Sequence, residues 1–396
     1  MKKHFLMLAT ALCLHVISSA QGSKEILPYA GFLKNQRQSA KEYVLQLFKT
    51  HDIVIICERT HTEMTQYNLF TDIISDKRFI ENVGNVFVEV GVSKLNPALN
   101  DFLHTRNITA GEIDRQVKNF QRNASMWPLW SSKNYSVFYK NIYKLNNSLQ
   151  DEQQVNFYPS DIPFFWPEAD SAGIPALKEM LPKRDSIIAA QVIAGFDAIQ
   201  KSGEKRKKAL VIMNYRHAFN QEFLLPGNRK LHNVGYYLFQ QYGNRVANVF
   251  LNTISYGKND SILLVQQGKW DAAFKKAGKE SLGFDFVNSP FGEDSLDVWP
   301  YQNPFTYKDV FTGFIFYLPV EKHVLTEGVK GLADSAFKNE LLRRIDLITM
   351  AGGEFKAKMN EFRKVAETKY EYLNIEENKK YYLIDSLLGM RNQWMK

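Results

Sequence analysis

The stretch IVIICERTHTEMTQYNLFTDII, residues 53–74, decides the fold. Its apolar run at 53–57 ends abruptly at Glu58, and Thr60 and His61 follow before a helical pattern begins. A short and nearly continuous apolar run is typical of a strand that is covered on both faces. The stretch therefore predicts a buried strand, a polar turn and a helix, with Glu58 at the carboxyl end of the strand.

Similar apolar runs recur along the chain, at 86–90, 155–159, 209–213, 246–251 and 310–319. Helical patterns separate several of them, at 64–80, 186–201 and 230–242. Alternating strands and helices favour a parallel sheet with crossover helices. The sequence therefore predicts an α/β fold with a mostly parallel central sheet and helices on both faces.

Three segments fall outside this alternation. Residues 92–150, which include MWPLW at 126–130, are interpreted as a helical insertion that covers a cleft. Residues 288–307 are rich in proline and aromatic residues without periodicity, which indicates a long loop, and such loops often act as lids. Amphipathic stretches at about 332–395 predict C-terminal helices, so that residues 21–396 form a single domain.

The first twenty residues have the composition of a secretory signal peptide. Lys2 and Lys3 precede an apolar run that ends in Ser18, Ser19 and Ala20, which predicts cleavage after Ala20. The short signal is typical of a bacterial protein, and we expect a periplasmic or secreted location. No membrane anchor is expected, because no later segment has an apolar run long enough to cross a bilayer.

The composition of the 396-residue chain is that of a globular protein, with 45% hydrophobic and 23% charged residues. Removal of the signal leaves Cys57 as the single cysteine, so no internal disulfide is expected. The net charge is +8, but the basic residues are scattered and the dense run at 201–208 is interpreted as a solvated loop. No nucleic-acid partner and no obligate protein partner are expected.

Four successive predicted strands end in polar side chains, namely Glu58, Glu89, Asp161 and the group Asn214, Tyr215 and His217. The carboxyl ends of parallel strands meet at one edge of a sheet, where open α/β folds bind their ligands. A buried carboxylate is costly unless it is paired, hydrogen-bonded or bound to a metal. The sequence therefore predicts a polar active-site pocket at this edge. The alternative is a set of structural salt bridges, in which Glu89 pairs with Arg59 or Arg184.

His61 is the candidate general base. Thr60 and Glu63 fit a capping box that would begin a helix at about His61. The positive end of a helix disfavours protonation, which would keep this imidazole neutral and able to accept a proton. The alternative is a helix cap with a solvated histidine.

Arg184 and Asp185 precede the helix predicted at 186–201. Asp185 suits the N-cap position of that helix. Arg184 could neutralise the carboxylates or bind an oxyanion or carboxylate of the substrate, and a plain salt bridge is the alternative.

The usual motifs of nucleophilic and nucleotide chemistry are missing: the sequence contains no G-x-S-x-G, P-loop, G-x-G-x-x-G or H-E-x-x-H. A glutamate and histidine set fits the activation of water, with or without a metal. Four residues could hold a divalent ion, namely Glu58, His61, Glu89 and His217.

Several of these segments resemble motifs of the erythromycin esterase-like family, in a superfamily that includes the ChaN-like haem-binding lipoproteins. CERTHTEMTQYNLF resembles its G-E-x-T-H-G motif, VFVEVG its second carboxylate strand, RDSIIAAQVIAGF its R-D-x-x-M-A-x-N helix, and VIMNYRHAF its H-N-x-H strand end. Segments 233–253 and 268–286 are also similar to the family, so the likeness spans about residues 45–320.

The resemblance implies a hydrolase of esters or lactones that acts on a small-molecule substrate with water activated by His61. In that case Glu58, Glu89, Arg184 and His217 are the other catalytic residues, and the substrate-binding residues are Asp161, Asp185, Asn214 and Tyr215. Four positions depart from the motifs. Cys57 and Thr62 stand where the first motif has glycines, Asn214 replaces a histidine, and Ile188 replaces a methionine.

Two other functions fit the same pattern. One is a haem- or iron-ligand-binding protein of the ChaN-like branch, with which exposed tyrosines and the aromatic segment 126–143 are compatible. The other is a divalent-metal-dependent hydrolase that uses the four candidate ligands.

Overall fold

A seven-stranded sheet forms the centre of the fold. The computed structural model describes residues 23–124, 132–256, 261–299, 301–352 and 355–396. The predicted signal peptide and the MWPLW segment therefore lie outside the described residues. The seven strands of the sheet are β1 (Ile53–Glu58), β2 (Asn85–Val92), β3 (Asn156–Asp161), β4 (Ala209–Asn214), β5 (Val246–Leu251), β6 (Ser281–Asp285) and β7 (Gly313–Tyr317).

The strands follow the order β6-β7-β5-β1-β4-β2-β3. All neighbouring pairs are parallel except β6 and β7. The predicted α/β fold with a mostly parallel sheet is confirmed. Two details differ from the prediction: the antiparallel edge strand β6 was not expected, and β4 lies between β1 and β2, so the strands bearing Glu58 and Glu89 are not adjacent.

Helices connect the strands and cover both faces of the sheet. They are α1 (Leu27–Asn35), α2 (Ala40–Leu47), α3 (Thr65–Ile74), α4 (Lys77–Asn82), α5 (Asn96–His104), α6 (Ala110–Arg122), α7 (Lys133–Ser148), α8 (Ile174–Met180), α9 (Arg184–Lys201), α10 (Val234–Tyr242), α11 (Lys269–Ala277), α12 (Tyr307–Val310), α13 (Lys338–Ala351), α14 (Phe355–Thr368) and α15 (Ile384–Gln393). Within the described ranges, none of these helices combines the length and apolar character needed to cross a bilayer.

The alternation of side chains along β1 divides the core into two layers. Val54 and Ile56 pack with the insertion helices α5 to α7 and with α13, whereas Ile55 and Cys57 pack with α9 to α11 on the other face. Both faces are therefore apolar, and the polar residues of the site are found at the strand ends. The expected helical insertion is present as α5, α6 and α7.

The turn after β1 differs from the predicted capping box. Helix α3 begins at Thr65 rather than His61, and the Glu63 carboxylate accepts the backbone N–H groups of Thr65 at 2.8 Å and Gln66 at 3.0 Å. Glu63 also pairs with Arg59 at 2.9 Å, and both side chains are fully buried. Glu63 thus neutralises a buried guanidinium, a role that the local sequence pattern did not reveal.

Arg59 connects the end of β1 to later parts of the chain. Its guanidinium donates to the backbone oxygen of Asn252 at 2.6 Å and to Asn252 Oδ1 at 2.7 Å, and it also donates to the carbonyl of Tyr317. Arg59 is therefore a structural residue that fixes the strand end next to the site.

Candidate active site

The carboxyl ends of β1, β2, β3 and β4 meet at one edge of the sheet. Glu58 ends β1, Glu89 lies near the end of β2, Asp161 ends β3, and Asn214 ends β4. A short 3-10 turn, Tyr215–Ala218, follows β4 and carries His217. The structure thus brings together residues that are far apart in the sequence.

A cavity of about 420 Å³ opens at this edge. Its lining residues are Thr60, His61, Glu89, Arg184, Asn214, Tyr215, Arg216, His217, Ile254 and Tyr256. No described residue of the loop 288–307 is among them. That loop is instead fastened to the body of the protein, because Asp294 accepts hydrogen bonds from Tyr29 at 2.8 Å and from Trp270 at 2.7 Å. The described part of this loop is therefore held away from the cavity wall, and its expected role as a lid stays a prediction.

Glu58 and His61 form a hydrogen-bonded pair. Nδ1 of His61 lies 2.7 Å from Oε2 of Glu58, and the hydroxyl of Tyr67 donates to the other oxygen of the same carboxylate. Only 2% of the Glu58 side chain is exposed, compared with 29% of the His61 side chain. The pair therefore combines a buried carboxylate with an imidazole that solvent can reach.

The pKa of His61 is raised, which corrects the prediction of a lowered proton affinity. Burial opposes the charged imidazole, but the negative charge and hydrogen bond of Glu58 outweigh this effect. The expected helix end is absent, because α3 begins four residues later. Glu58 rather than a helix dipole thus sets the basicity of His61.

Glu89 and Asp161 hold the guanidinium of Arg184. Nε and one terminal nitrogen of Arg184 donate to the two oxygens of Asp161 at 2.8 and 2.9 Å, and that terminal nitrogen also lies 3.0 Å from Glu89 Oε1. The other oxygen of Glu89 accepts the backbone N–H of Asn214 at 2.9 Å. Despite its burial, the pKa of Glu89 lies well below the usual range because of nearby His217, His61 and Arg184. Glu89 is therefore a permanent anion that orients its cationic neighbours.

His217 is a cation at neutral pH. Its Nδ1 lies 2.9 Å from Asp185 Oδ1, and its Nε2 lies 3.3 Å from Glu89 Oε1. Although burial disfavours the charge, these two carboxylates raise the pKa of His217 to about 10. Nε2 of His217 also lies 3.3 Å from a terminal nitrogen of Arg184, so Glu89 Oε1 lies beside both cationic side chains. A histidine that already carries its proton is poorly suited to act as a base.

Asp185 does not cap helix α9, as the sequence had suggested. The helix begins at Arg184, with Lys183 as its N-cap, and Asp185 lies in the first turn. Its carboxylate contacts His217 and accepts a hydrogen bond from Asn233 at 3.3 Å. The tertiary contact with an imidazolium explains why this carboxylate turns away from the helix end.

Asn214 and Tyr215 have structural contacts in addition to their places in the cavity wall. Asn214 Nδ2 donates to the carbonyl of Arg59 at 2.9 Å, and its Oδ1 accepts the N–H of Arg216 at 3.2 Å. Tyr215 is 3% exposed, and its ring packs against Phe250. Asn214 therefore links the ends of β1 and β4.

Three residues that were not expected from the sequence also shape the site. Tyr67 binds Glu58, Asn134 donates from Nδ2 to the carbonyl of His61 at 2.7 Å, and Arg216 lines the cavity. Tyr67 is buried on α3 at helical spacing from Phe70 and Ile74, so its hydroxyl lies beside apolar side chains. A tyrosine at an apolar position of a helical pattern is the sequence signal that could have identified Tyr67.

Three of the four candidate metal ligands converge. Glu58, His61 and Glu89 each offer one ligand atom, and these atoms lie within 4.8 Å of one another. However, Nδ1 of His61 contacts Glu58, and both oxygens of Glu89 already have donors. His217, the fourth candidate, is protonated. A divalent ion bound by Glu58, His61 and Glu89 would therefore take the place of hydrogen bonds that these side chains make within the protein.

The described part of the aromatic segment 126–143 contains buried tyrosines, whereas Tyr256, Tyr301 and Tyr382 are exposed elsewhere in the protein. Within residues 132–143, Tyr135, Tyr139 and Tyr143 are 4 to 6% exposed, and they pack in the core beside Phe138. These rings pack in the hydrophobic core between α7 and the sheet. Residues 126–131 lie outside the described part of the chain.

Comparison with known proteins yields distant structural likenesses. No family model and no curated protein matches the sequence. Similar solved structures include a Bacillus cereus protein, with 12% identity over 74% of this chain and 97% of that chain at a TM-score of 0.45. A succinoglycan biosynthesis protein is 9% identical in sequence, and the match covers 75% of this chain and 97% of that chain with a TM-score of 0.47. A mutant of the erythromycin esterase EreC in its open conformation is 10% identical in sequence. This match covers 74% of this chain and 96% of that chain with a TM-score of 0.46. At these values the likeness carries no argument about family, activity or residue roles, and the motif resemblance stays a prediction.

Proposed function

We propose that this chain is an exported hydrolase that cleaves an ester or lactone with water activated by His61. The observation that supports this proposal is the Glu58–His61 pair in the wall of an open polar cavity. A histidine that is oriented by a buried carboxylate and reachable by water is suited to general base catalysis. The likeness of the local motifs to the erythromycin esterase-like family points in the same direction.

In the proposed reaction, a water oxygen forms a bond to the carbonyl carbon of the substrate while His61 Nε2 takes one water proton. Glu58 stabilises the resulting imidazolium. Arg184, which lines the cavity, is the candidate hydrogen-bond donor to the developing oxyanion. Collapse of the tetrahedral intermediate breaks the bond to the leaving alkoxide, which takes the proton back from His61. The products are a carboxylic acid and an alcohol, or a hydroxy acid from a lactone.

A covalent cysteine mechanism has little support. Cys57 is fully buried in β1, and burial raises the pKa of its thiol well above the usual value. The thiolate is the reactive form of cysteine, so a buried thiol with a raised pKa is a poor nucleophile. Direct attack by water is therefore favoured.

The test is hydrolysis of a panel of esters and lactones by the wild type and by His61→Asn and Glu58→Gln. We expect His61→Asn to lose activity on every substrate that the wild type cleaves. His232→Asn is the matched control, because His232 also pairs with a glutamate, Glu222, at 2.7 Å but lies outside the cavity. Equal rates for the wild type and His61→Asn would refute the proposal.

A metal-dependent form of the same reaction is the second candidate, and the convergence of three ligand atoms within 4.8 Å favours it. A metal bound by Glu58, His61 and Glu89 would lower the pKa of a bound water. Elemental analysis of protein purified without chelator, together with activity after dialysis against EDTA, separates the two forms. Full activity in metal-free protein supports the metal-free reaction, and loss of activity that Zn²⁺ or Mn²⁺ restores supports the second candidate.

Export is part of the proposal and rests on residues 1–20. Expression of the full chain in a bacterial host, followed by intact-mass measurement of the periplasmic and culture fractions, tests it. A product that begins at Gln21 is expected. Retention of the uncleaved chain in the cytoplasm would contradict it.

A further inference from the structure

Arg216 occupies a fixed place in the cavity wall. It lies in the short turn after β4, where Asn214 accepts its backbone N–H and at the same time donates to the carbonyl of Arg59. Arg59 is fully buried, so the turn is anchored to the core of the protein. The backbone at Arg216 is thus held by Asn214 and, through Asn214, by the end of β1.

The positive charge of Arg216 differs from the other charges of the cavity. Arg184 pairs with Asp161 and Glu89, and His217 pairs with Asp185 and Glu89. In contrast, no carboxylate of the described residues lies within 4.0 Å of the Arg216 guanidinium, whose central carbon is 5.8 Å from the centroid of the Tyr215 ring. Of the two arginines in the described cavity wall, Arg216 is therefore the one with no described carboxylate within salt-bridge distance.

An arginine in such a position suits an anionic ligand. The guanidinium presents a planar set of donors that matches the oxygens of a carboxylate or a phosphate, and charge-assisted hydrogen bonds of this kind are strong. Arg184 and His217 face three carboxylates, Glu89, Asp161 and Asp185, so the positive charge available to an anionic ligand is that of Arg216. Ile254 and Tyr256 add an apolar surface to the same cavity for the uncharged part of a ligand.

We propose that the site takes esters whose acyl or alcohol part carries a carboxylate or a phosphate, and that Arg216 binds this anionic group. The class of reaction rests on the proposed function, whereas the recognition of the anion rests on Arg216 alone. Arg216 is therefore a specificity-determining residue. Arg216 therefore selects substrates by their anionic group and not by the type of bond that is cleaved.

The first experiment compares two esters of equal chain length. Mono-4-nitrophenyl adipate carries a free carboxylate, and 4-nitrophenyl hexanoate does not. We expect the wild type to favour the adipate ester in kcat/KM by roughly 10- to 100-fold, as one charge-assisted hydrogen-bonded pair supplies. Arg216→Gln should lose most of this preference, and Arg216→Lys, which keeps the charge but not the planar donors, should keep part of it. The exposed Arg37, which is not in the cavity, provides the control Arg37→Gln with an unchanged preference.

The second experiment measures binding without catalysis. Adipate and, separately, inorganic phosphate are titrated by calorimetry into His61→Asn and into the double variant His61→Asn/Arg216→Gln. We expect at least one of the two anions to bind the single variant about 10-fold or more tightly than the double variant, and the tighter anion identifies the carboxylate or the phosphate as the preferred group.

The two experiments separate this inference from the proposed function. Hydrolysis of both esters at equal kcat/KM, with anion binding that does not depend on Arg216, overturns the inference and leaves the hydrolase proposal standing. Anion binding that depends on Arg216 in a protein that cleaves neither ester supports the inference while the hydrolase proposal fails. Thermal unfolding of each variant verifies that the substitution leaves the fold intact.

Discussion

Nδ1 of His61 lies 2.7 Å from Oε2 of Glu58, although the local sequence pattern had assigned His61 to a helix end. The hydroxyl of Tyr67 holds the other carboxylate oxygen from helix α3. Glu58 is thereby fixed between an imidazole and a phenol that come from different elements. This arrangement determines both the orientation and the basicity of His61.

Tyr67→Phe tests the role of Tyr67 as a positioning residue. The substitution removes a donor to the Glu58 carboxylate, so we expect kcat to fall by about 10-fold. Since the carboxylate then carries a less stabilised charge, it should raise the pKa of His61 further and move the acid limb of the pH–rate profile to higher pH. Steady-state kinetics between pH 5 and 9 measure both effects.

The control for this substitution is Tyr143→Phe. Tyr143 is equally buried, but its hydroxyl accepts the backbone N–H of Ile108 instead of contacting the site. We expect its pH–rate profile to match that of the wild type. An identical profile in Tyr67→Phe would contradict the assigned role.

Arg59→Met should destabilise the protein strongly. The pair Arg59 and Glu63 is fully buried, and removal of one partner leaves an uncompensated charge in the interior. We expect a loss of about 3–5 kcal/mol in the free energy of unfolding, measured by urea denaturation. Lys77→Ala is the control, because the Lys77–Glu81 pair is exposed and should contribute less than about 1 kcal/mol. A loss in Arg59→Met as small as that of the control would contradict the account.

The protonation of His217 predicts a pH dependence of stability. The pKa of His217 is about 10 in the folded protein and about 6.5 in an unfolded chain, so the folded state binds the extra proton between these values. The stabilisation is therefore complete below about pH 6.5 and is lost as the pH rises through about 10. We expect the free energy of unfolding of the wild type, measured relative to His217→Gln, to fall across this window. A difference that is constant from pH 6.5 to 10 would contradict the assigned charge.

The order of strands and helices and the polar strand ends were predictable from the sequence, because apolar runs of strand length mark the buried strands. Glu58 and Asp161 each follow such a run, so their places at the sheet edge follow from local patterns. The antiparallel strand β6 was missed because its short segment, SLGFD, follows a helix and has no strongly apolar run.

Contacts between distant segments account for the remaining differences. The start of α3 depends on Glu63, which turns toward the buried Arg59. The orientation of Asp185 depends on His217, which lies 32 residues later in the chain. The role of Tyr67 depends on how α3 packs against the end of β1. No local periodicity contains these pairings, since each is decided by tertiary packing and charge compensation.

The proposed reaction requires that Glu58 sets the basicity of His61. The most direct measurement is the pH–rate profile of kcat/KM for the wild type and Glu58→Gln on one ester. Because the pKa of His61 is raised, the wild-type rate should increase as the pH rises through a value above 6.5. Loss of the carboxylate should move this limb to lower pH and reduce the plateau rate. An acid limb at the same pH in both proteins, or a wild-type rate without such a limb, would contradict the account.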